Sequence, residues 1–152
     1  MTEAEINKAL DSSFFPTKNR AISDKNASPN NINKALNDEH SSIRSTAAFH
    51  QNATEENINK ALDDTNHTVR ENAIKNLNAS PDNIDKALND NIAYIRYCAI
   101  KNPNASPDNI DKALNDNDVR VKVMAVNHSK ASKENKEKAY NDPELIEYLL
   151  KQ

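Results

Sequence analysis

A single spacing of 26 residues recurs along almost the whole 152-residue chain and constrains its fold more than any other feature. Isoleucine recurs at one phase of this period, leucine at a second and lysine at a third. The residues concerned are Ile6, Ile32, Ile58, Ile84 and Ile110; Leu10, Leu36, Leu62, Leu88 and Leu114; and Lys8, Lys34, Lys60, Lys86, Lys112 and Lys138. A period of this length is typical of repeat proteins, in which one supersecondary unit stacks on the next.

Each repeat is predicted to hold two short helices, and residues 80–105 illustrate both. Ser80 suits an N-cap and Pro81 the first position of a helix, and the equivalent places along the chain are all Ser or Thr. The apolar residues are Ile84, Ala87 and Leu88 in the first helix, and Ile95, Ala99 and Ile100 in a second helix over about 94–102. Helices this short cannot bury a core alone, so the repeats must stack.

The run from Ile95 to Asp116 reads Ile-Arg-x-x-Ala-Ile-x-Asn-Pro-Asn-Ala-Ser-Pro-x-x-Ile-x-x-Ala-Leu-x-Asp. This pattern resembles the leucine-rich repeat variant family, a relative of HEAT-like repeats, and the resemblance covers about residues 2–142. It implies a right-handed superhelix in which the second helix is partly 3₁₀. The predicted fold is an all-α, right-handed α-solenoid of six 26-residue two-helix repeats. One family member carries a cysteine-bound iron–sulfur cluster, but this chain has only Cys98.

The chain is interpreted as one repeat domain over residues 1–152. Its units are 2–27, 28–53, 54–79, 80–105, 106–131 and 132–142, followed by a C-terminal capping helix over 143–151. Leu145, Ile146, Leu149 and Leu150 are expected to seal the end of the stack. A dimerisation helix is the alternative, and the chain is expected to be a monomer or a weak homo-oligomer.

Composition argues against several classes of function. There are 20 basic and 23 acidic residues, giving a net charge of −3, which is not the basic footprint of a general nucleic-acid binder. Cys98 is the single cysteine, and the four histidines lack the spacing of a metal site. There is no glycine-rich phosphate loop and no nucleophile motif. We expect no enzymatic activity, cofactor, metal or membrane span, and a cytoplasmic location.

Two periodic polar columns each allow a structural and a functional interpretation. For the asparagine column described below, the functional interpretation is a polar binding groove, and the structural one is favoured. Arg44, Arg70 and Arg96, with Lys18 and Lys122, form a basic column that would bind the phosphates of a nucleic acid. The structural interpretation, which we favour, pairs it with Asp38, Asp64, Asp90 and Asp116 or with carbonyl ends of the first helices. A column of asparagines at Asn31, Asn57, Asn83, Asn109 and Asn135 is expected to form a ladder in which each amide bonds its own copy in the next repeat.

Asparagine is also expected at the end of each first helix. The chain contains no glycine. Asn37, Asn89 and Asn115 are therefore predicted to take the left-handed position there.

One face of the second helix varies from repeat to repeat, while the remaining positions stay fixed. It reads Ser42, Ser45, Thr46, Phe49; then Thr68, Glu71, Asn72, Lys75; then Tyr94, Tyr97, Cys98, Lys101; then Arg120, Val123, Met124, Asn127. Aromatic residues, Met and Arg are enriched at protein interfaces, although Tyr97, Val123 and Met124 would equally pack between repeats. The sequence therefore predicts a non-enzymatic scaffold that binds another protein through Phe49, Lys75, Tyr94, Tyr97, Lys101, Arg120 and Met124. Nucleic-acid binding through the basic column is the alternative.

Overall fold

The computed structural model describes residues 1–151, and within them the chain forms twelve α-helices and no strand. The chain divides into two compact units, Met1–Ala79 and Ser80–Gln152. The division falls at one of the repeat boundaries predicted from the period, and each unit is described by itself.

Both units are built from pairs of short helices. The first unit contains α1 (Glu3–Ala9), α2 (Phe15–Ile22), α3 (Pro29–Ala35), α4 (Ser41–Ala48), α5 (Glu55–Ala61) and α6 (His67–Lys75). The second contains α7 (Pro81–Ala87), α8 (Ala93–Lys101), α9 (Pro107–Ala113), α10 (Val119–Val126), α11 (Lys133–Tyr140) and α12 (Pro143–Leu150). Within a unit, each helix packs against its pair partner and against equivalent helices of adjacent repeats. The prediction of an all-α chain of six two-helix repeats is confirmed, whereas the right-handed superhelix stays a prediction.

The first helix of each repeat begins at a capped Ser or Thr, as the sequence predicts. In α9, Ser106 Oγ accepts the Asn109 N–H at 3.2 Å, and Asn109 Oδ1 accepts the Ser106 N–H at 2.9 Å. The same reciprocal capping box forms at Thr2, Ser28, Thr54, Ser80 and Ser132. Two otherwise unpaired amides at each helix start are satisfied in this way, which fixes where the helix begins.

The core is a thin line of small aliphatic side chains that runs through each unit. The periodic isoleucines are fully buried, and the periodic leucines are buried to within 8% exposure. The second helices add Ile43, Ala47 and Ala48; Val69, Ala73 and Ile74; Ile95, Ala99 and Ile100; and Val121, Ala125 and Val126, all buried. The alanines allow neighbouring helices to approach closely, so the stacked pairs within each unit bury a core that one pair could not.

Two sequence predictions about helix geometry are wrong. The second helices are α-helical rather than partly 3₁₀, with no 3₁₀ helix in the described part of the chain, and α8 starts one residue before the predicted 94. No residue of the described chain takes a left-handed conformation, so Asn37, Asn89 and Asn115 do not occupy one. Their side-chain amides instead donate to the carbonyl four residues earlier, as from Asn115 to Asp111 O at 2.9 Å. The side chain thus satisfies the helix end without backbone strain.

The buried asparagines do link successive repeats, but not to one another. Asn57 Nδ2 donates to Pro29 O at 3.4 Å, and Asn109 Nδ2 donates to Pro81 O at 3.2 Å. The predicted amide ladder is therefore wrong in its partner. Because Oδ1 caps its own helix, only the NH₂ group is left to bond, and the nearest acceptor is the first carbonyl of the preceding first helix.

A second ladder, which the sequence did not reveal, includes two of the histidines. His50 Nε2 lies 3.0 Å from Asp24 O, and His50 Nδ1 accepts the Asn52 N–H at 3.1 Å. His128 makes the same two contacts with Asn102 O and the Lys130 N–H. At the equivalent position Asn76 donates to Ala48 O and accepts the Asn78 N–H. A histidine at this phase is a structural bridge between repeats.

The capping helix α12 covers the preceding repeat through one residue rather than four. Leu145 is 1% exposed, whereas Ile146, Leu149 and Leu150 are 37%, 39% and 83% exposed. The expectation that all four seal the stack is therefore wrong for the last three. An eight-residue helix with a Leu at its third position turns only one narrow stripe inward, so the remaining apolar residues face outward.

Candidate functional site

The basic column forms structural ion pairs within each unit. Arg44 holds Asp64 through two parallel bonds, Nε to Oδ2 at 2.6 Å and Nη2 to Oδ1 at 3.0 Å. Arg96 holds Asp116 in the same way at 2.7 and 2.9 Å. Both arginines also donate from Nη1 to a backbone carbonyl after the first helix of their own repeat, Asp38 O or Asp90 O. Lys18 and Lys122 reach Asp38 and Asp142 at 2.8 and 2.7 Å.

These pairs are well sheltered from water. The Arg96 and Asp116 side chains are only 12% and 7% exposed. Burial raises the pKa of Asp64, but the hydrogen bonds from Arg44 and from the Asn66 amide outweigh it, and the net pKa is lowered. A bidentate guanidinium–carboxylate pair is among the stronger polar contacts in proteins. The structural interpretation of Arg44 and Arg96 therefore holds, and their guanidinium groups point at carboxylates rather than outward along a phosphate-binding face.

The most distinctive surface feature of the second unit is a cleft of about 390 Å³ between its second helices. We call it the tyrosine cleft and define it by its lining residues, which are Tyr94 and Tyr97 of α8, Arg120, Val123 and Met124 of α10, and Tyr148 of α12. Since α10 packs against both α8 and α12, three successive second helices contribute one side chain or more each.

Local sequence places the tyrosines on one face of α8. Tyr94 and Tyr97 are three residues apart and therefore neighbours on the helix surface. Their rings stack with centroids 6.1 Å apart and planes inclined by only 13°. The Tyr94 side chain is exposed at 49%, and Tyr97 is half-buried. Ile95 and Ala99 on the inner side of α8 are buried, so packing of α8 turns the tyrosine pair toward solvent.

Arg120 stands at the edge of the tyrosine cleft and is oriented by its own N-cap residue. Asp118 accepts the Arg120 backbone N–H at 2.9 Å and receives Arg120 Nε at 3.0 Å and Nη2 at 2.6 Å. The Arg120 hydrogen bond lowers the pKa of Asp118. The Arg120 side chain remains 61% exposed, so the pair lies on the surface and its guanidinium stays accessible to a ligand.

The structure brings together four of the seven predicted site residues, namely Tyr94, Tyr97, Arg120 and Met124. Neither tyrosine is buried between repeats, which was the alternative for Tyr97. Lys101 is exposed one turn beyond Tyr97 on the same helix and does not line the cleft. Phe49 and Lys75 are both exposed and belong to the first unit. A binding role for each of the seven stays a prediction.

Two lining residues were not among the predicted site residues. Val123 belongs to the variable stripe, where packing between repeats was its alternative role. Tyr148 lies in the capping helix, whose apolar residues alone were considered. The N-caps of α10 and α12, Asp118 and Asp142, are 24 residues apart rather than 26, so Tyr148 takes the place that Met124 has one repeat earlier. Counting from the N-cap instead of by the period would have found it.

Other kinds of site find no support among residues 1–151. No group of three or more His, Cys, Asp or Glu side chains there is placed to hold a metal ion. No helix in that range combines the length and the apolar character that crossing a membrane requires. Cys98 is buried and does not line the cleft.

Comparison with known proteins gives a match only among solved structures. No protein-family model matches the chain, and no curated protein matches it. Among solved structures, the chain is similar to one described as a leucine-rich repeat variant with a novel repetitive protein structural motif. The identity is 15% and the TM-score 0.32, over 97% of this chain and 80% of the other. The fold assignment rests on the twelve helices of residues 1–151 themselves.

Proposed function

We propose that this protein is a non-enzymatic interaction module that binds a segment of another protein in the tyrosine cleft. The observation that carries the proposal is the stacked, solvent-facing pair of Tyr94 and Tyr97 beside Met124. Tyrosine and arginine are the residue types that most often dominate binding energy at protein interfaces, and methionine adapts to varied apolar partners. A cleft of about 390 Å³ is large enough to take a few side chains of a partner.

The surrounding structure suits a binding surface because the cleft is built on rigid elements. α8 and α10 are fixed from below by Ile95, Ala99, Val121 and Ala125, all at or near zero exposure. The Arg96–Asp116 pair further joins the two repeats that carry them. A partner would therefore meet preorganised aromatic side chains, and less binding energy is lost in ordering them.

The test is a selection of peptides from a random display library on the full chain, followed by calorimetry with the selected peptides. Replacing Tyr94 and Arg120 together by Ala should leave the circular dichroism spectrum unchanged and weaken binding at least about tenfold, which is about 1.4 kcal/mol. Tyr140→Ala is the matched control, since Tyr140 is a 64% exposed tyrosine of the same unit outside the cleft. Selected peptides whose affinity is equal for wild type and the double variant would refute the proposal.

A further inference from the structure

We infer that the segment bound in the tyrosine cleft is a proline-rich peptide in the polyproline II conformation with an acidic flank. This inference rests on the proposed function and specifies the chemistry of the partner. Three properties of the cleft lead to it: its flat aromatic faces, its surplus of hydrogen-bond donors, and the spacing of the helices that form it.

The aromatic faces suit proline side chains. Tyr94 and Tyr97 present nearly parallel rings, and Tyr148 adds a third ring from α12. Proline-rich segments dock on grooves lined with aromatic side chains, where pyrrolidine rings lie against the ring faces. A cationic ligand in a cage of tyrosines would be the other use of such rings, but Arg120 lines the same cleft and would repel it.

Most polar groups that line the cleft can donate hydrogen bonds, and this indicates a ligand rich in hydrogen-bond acceptors. Within residues 1–151, no hydrogen bond uses the phenol groups of Tyr97 or Tyr148. Asp118 accepts hydrogen bonds from Nε and Nη2 of Arg120, so the Nη1 group is left to donate to a ligand. A polyproline II segment has no internal hydrogen bonds, and each proline offers a carbonyl without an N–H. Its exposed carbonyls would therefore complement phenol and guanidinium donors.

The spacing that is usual between packed helices matches the repeat of such a segment. Residues i and i+3 of a polyproline II helix lie on the same face, about 9.3 Å apart at about 3.1 Å per residue. Packed helices lie about 8–10 Å apart. A segment that crosses α8, α10 and α12 in turn would place every third residue over one helix, against Tyr97, Met124 and Tyr148.

The basic side chains at the edge of the cleft determine which residues should flank the prolines of the peptide. Lys101 is exposed one turn beyond Tyr97, on the same stripe of α8, and no carboxylate of residues 1–151 lies within ion-pair distance of it. Arg120, on α10, keeps its side chain 61% exposed despite Asp118. Both groups would attract a glutamate or aspartate that follows or precedes the prolines, with an effect that salt reduces.

The experiment measures fluorescence anisotropy of labelled decaproline peptides titrated with the full chain. One peptide carries a terminal pair of glutamates and another a pair of lysines. A third is a glycine–serine decapeptide with the same glutamates, which keeps the charge but removes the polyproline II conformation.

We expect the glutamate-flanked decaproline to bind at least about tenfold more tightly than the glycine–serine peptide, a difference of about 1.4 kcal/mol. Tyr97→Ala should weaken its binding by a similar factor, and Tyr97→Phe should weaken it less, because the ring is kept and only the phenol donor is lost. Lys101→Gln should narrow the preference for glutamate over lysine flanks. Tyr140→Ala should change nothing, and thermal melting of each variant checks that it folds.

Two outcomes would overturn the inference. Equal binding of the decaproline and glycine–serine peptides would remove the polyproline II conformation as the recognised feature. Failure of decaproline to bind, while display-selected peptides without proline still depend on Tyr94 and Arg120, would refute the inference and leave the proposed function standing. Display-selected peptides insensitive to the cleft variants would refute the proposed function itself.

Discussion

The two units share one internal frame but present different side chains on their second helices. In the first unit, the stripe on α4 and α6 is mostly polar, and Asn72 Nδ2 donates across it to Ser45 Oγ at 2.5 Å. In the second unit, the equivalent positions of α8 and α10 hold Tyr94, Tyr97, Val123 and Met124. Below these stripes, both units use the same buried aliphatic residues, the same capping boxes and the same Arg–Asp pairs.

In this fold, the buried contacts between repeats are independent of the side chains that the second helices present to solvent. Inter-repeat contacts are made by buried aliphatic residues, by backbone carbonyls and by side chains at fixed phases of the period. None of those contacts requires a particular residue at the outward positions of the second helix. The first unit fills most of these positions with polar groups, two of which bond each other, and exposes the single ring of Phe49, whereas the second exposes a stacked pair of tyrosines. A binding surface can therefore be introduced or removed without altering the stack.

Truncation of a core leucine in each unit should have the largest effect on stability, and it tests whether the two buried cores contribute equally to the free energy of unfolding. Leu36 and Leu88 occupy the same phase and are 6% and 5% exposed. Truncating either to Ala removes buried methyl groups and leaves a cavity, at a cost of about 2–5 kcal/mol. Urea unfolding followed by circular dichroism should give similar losses for Leu36→Ala and Leu88→Ala. A loss confined to one variant would show that the two frames are not energetically equivalent.

The next effect concerns the ion pairs that both units contain. Asp64→Asn and Asp116→Asn keep the shape of the side chain but remove the charge that Arg44 and Arg96 face. Hydrogen bonds to charged groups contribute more than neutral ones, so each variant should lose about 1–2 kcal/mol of unfolding free energy. Glu39→Gln is the control, because Glu39 is 77% exposed and lies 3.9 Å from Lys18. A loss as large for the control as for the aspartates would contradict the special role of the pairs.

The same pairs predict how stability depends on pH. The folded state holds the net pKa of Asp64 below its ordinary value of 3.8, because Arg44 and the Asn66 amide outweigh the effect of burial. The unfolded chain therefore binds more protons in this range, and stability rises with pH. The contribution is complete above about pH 3.8 and is lost as the pH falls further, through the folded pKa. Urea titrations should show the difference between wild type and Asp64→Asn shrinking below about pH 3.8, and a constant difference would contradict the assignment.

Periodicity made the helices, the caps and the core predictable from the sequence. Residues such as Ser106, Ile110 and Leu114 recur at fixed phases, and each has one physical use at its place in a short helix. The Arg column was equally readable, because an Asp column of the same period offered it partners. Arg44 in fact reaches forward to the Asp of the next repeat and takes a carbonyl of its own.

Features that combine different residue types at one phase could not be read in this way. One phase of the period is occupied by Asp24, His50, Asn76, Asn102 and His128. Because these are three residue types, the repeated pattern does not indicate that the phase has a single bridging role. His50 Nδ1 and Asn76 Oδ1 each accept the backbone N–H two residues later. His50 Nε2 contacts one carbonyl of the preceding repeat, whereas the Asn76 NH₂ group donates to two, Ala48 O and His50 O. The partner of each buried Asn was also hidden, because the period fixes phase and not which atom of the neighbouring repeat lies nearest.

Only some of the residues that line the tyrosine cleft could be predicted, for a related reason. Tyr94, Tyr97, Arg120 and Met124 stand on stripes that the period aligns. Tyr148 does not, because α12 begins two residues earlier than the period requires and its N-cap, Asp142, comes 24 residues after Asp118. The break in the period removed Tyr148 from the alignment although packing restores it to the same surface.

The smallest change in the free energy of unfolding is expected for serine-to-alanine variants, which distinguish serines that cap a helix from serines that do not. Ser28 and Ser106 each accept the amide of the N3 asparagine at 3.2 Å. Replacing either by Ala removes that bond and should cost about 1 kcal/mol. Ser41 is the first residue of α4, whose N-cap His40 forms no side-chain capping bond. Ser41→Ala should therefore change the free energy of unfolding by less than about 0.5 kcal/mol. Urea unfolding of all three variants checks the order, and equal losses at Ser28, Ser41 and Ser106 would mean that serine acts at these positions through helix propensity alone, and that the capping boxes of both units contribute nothing further.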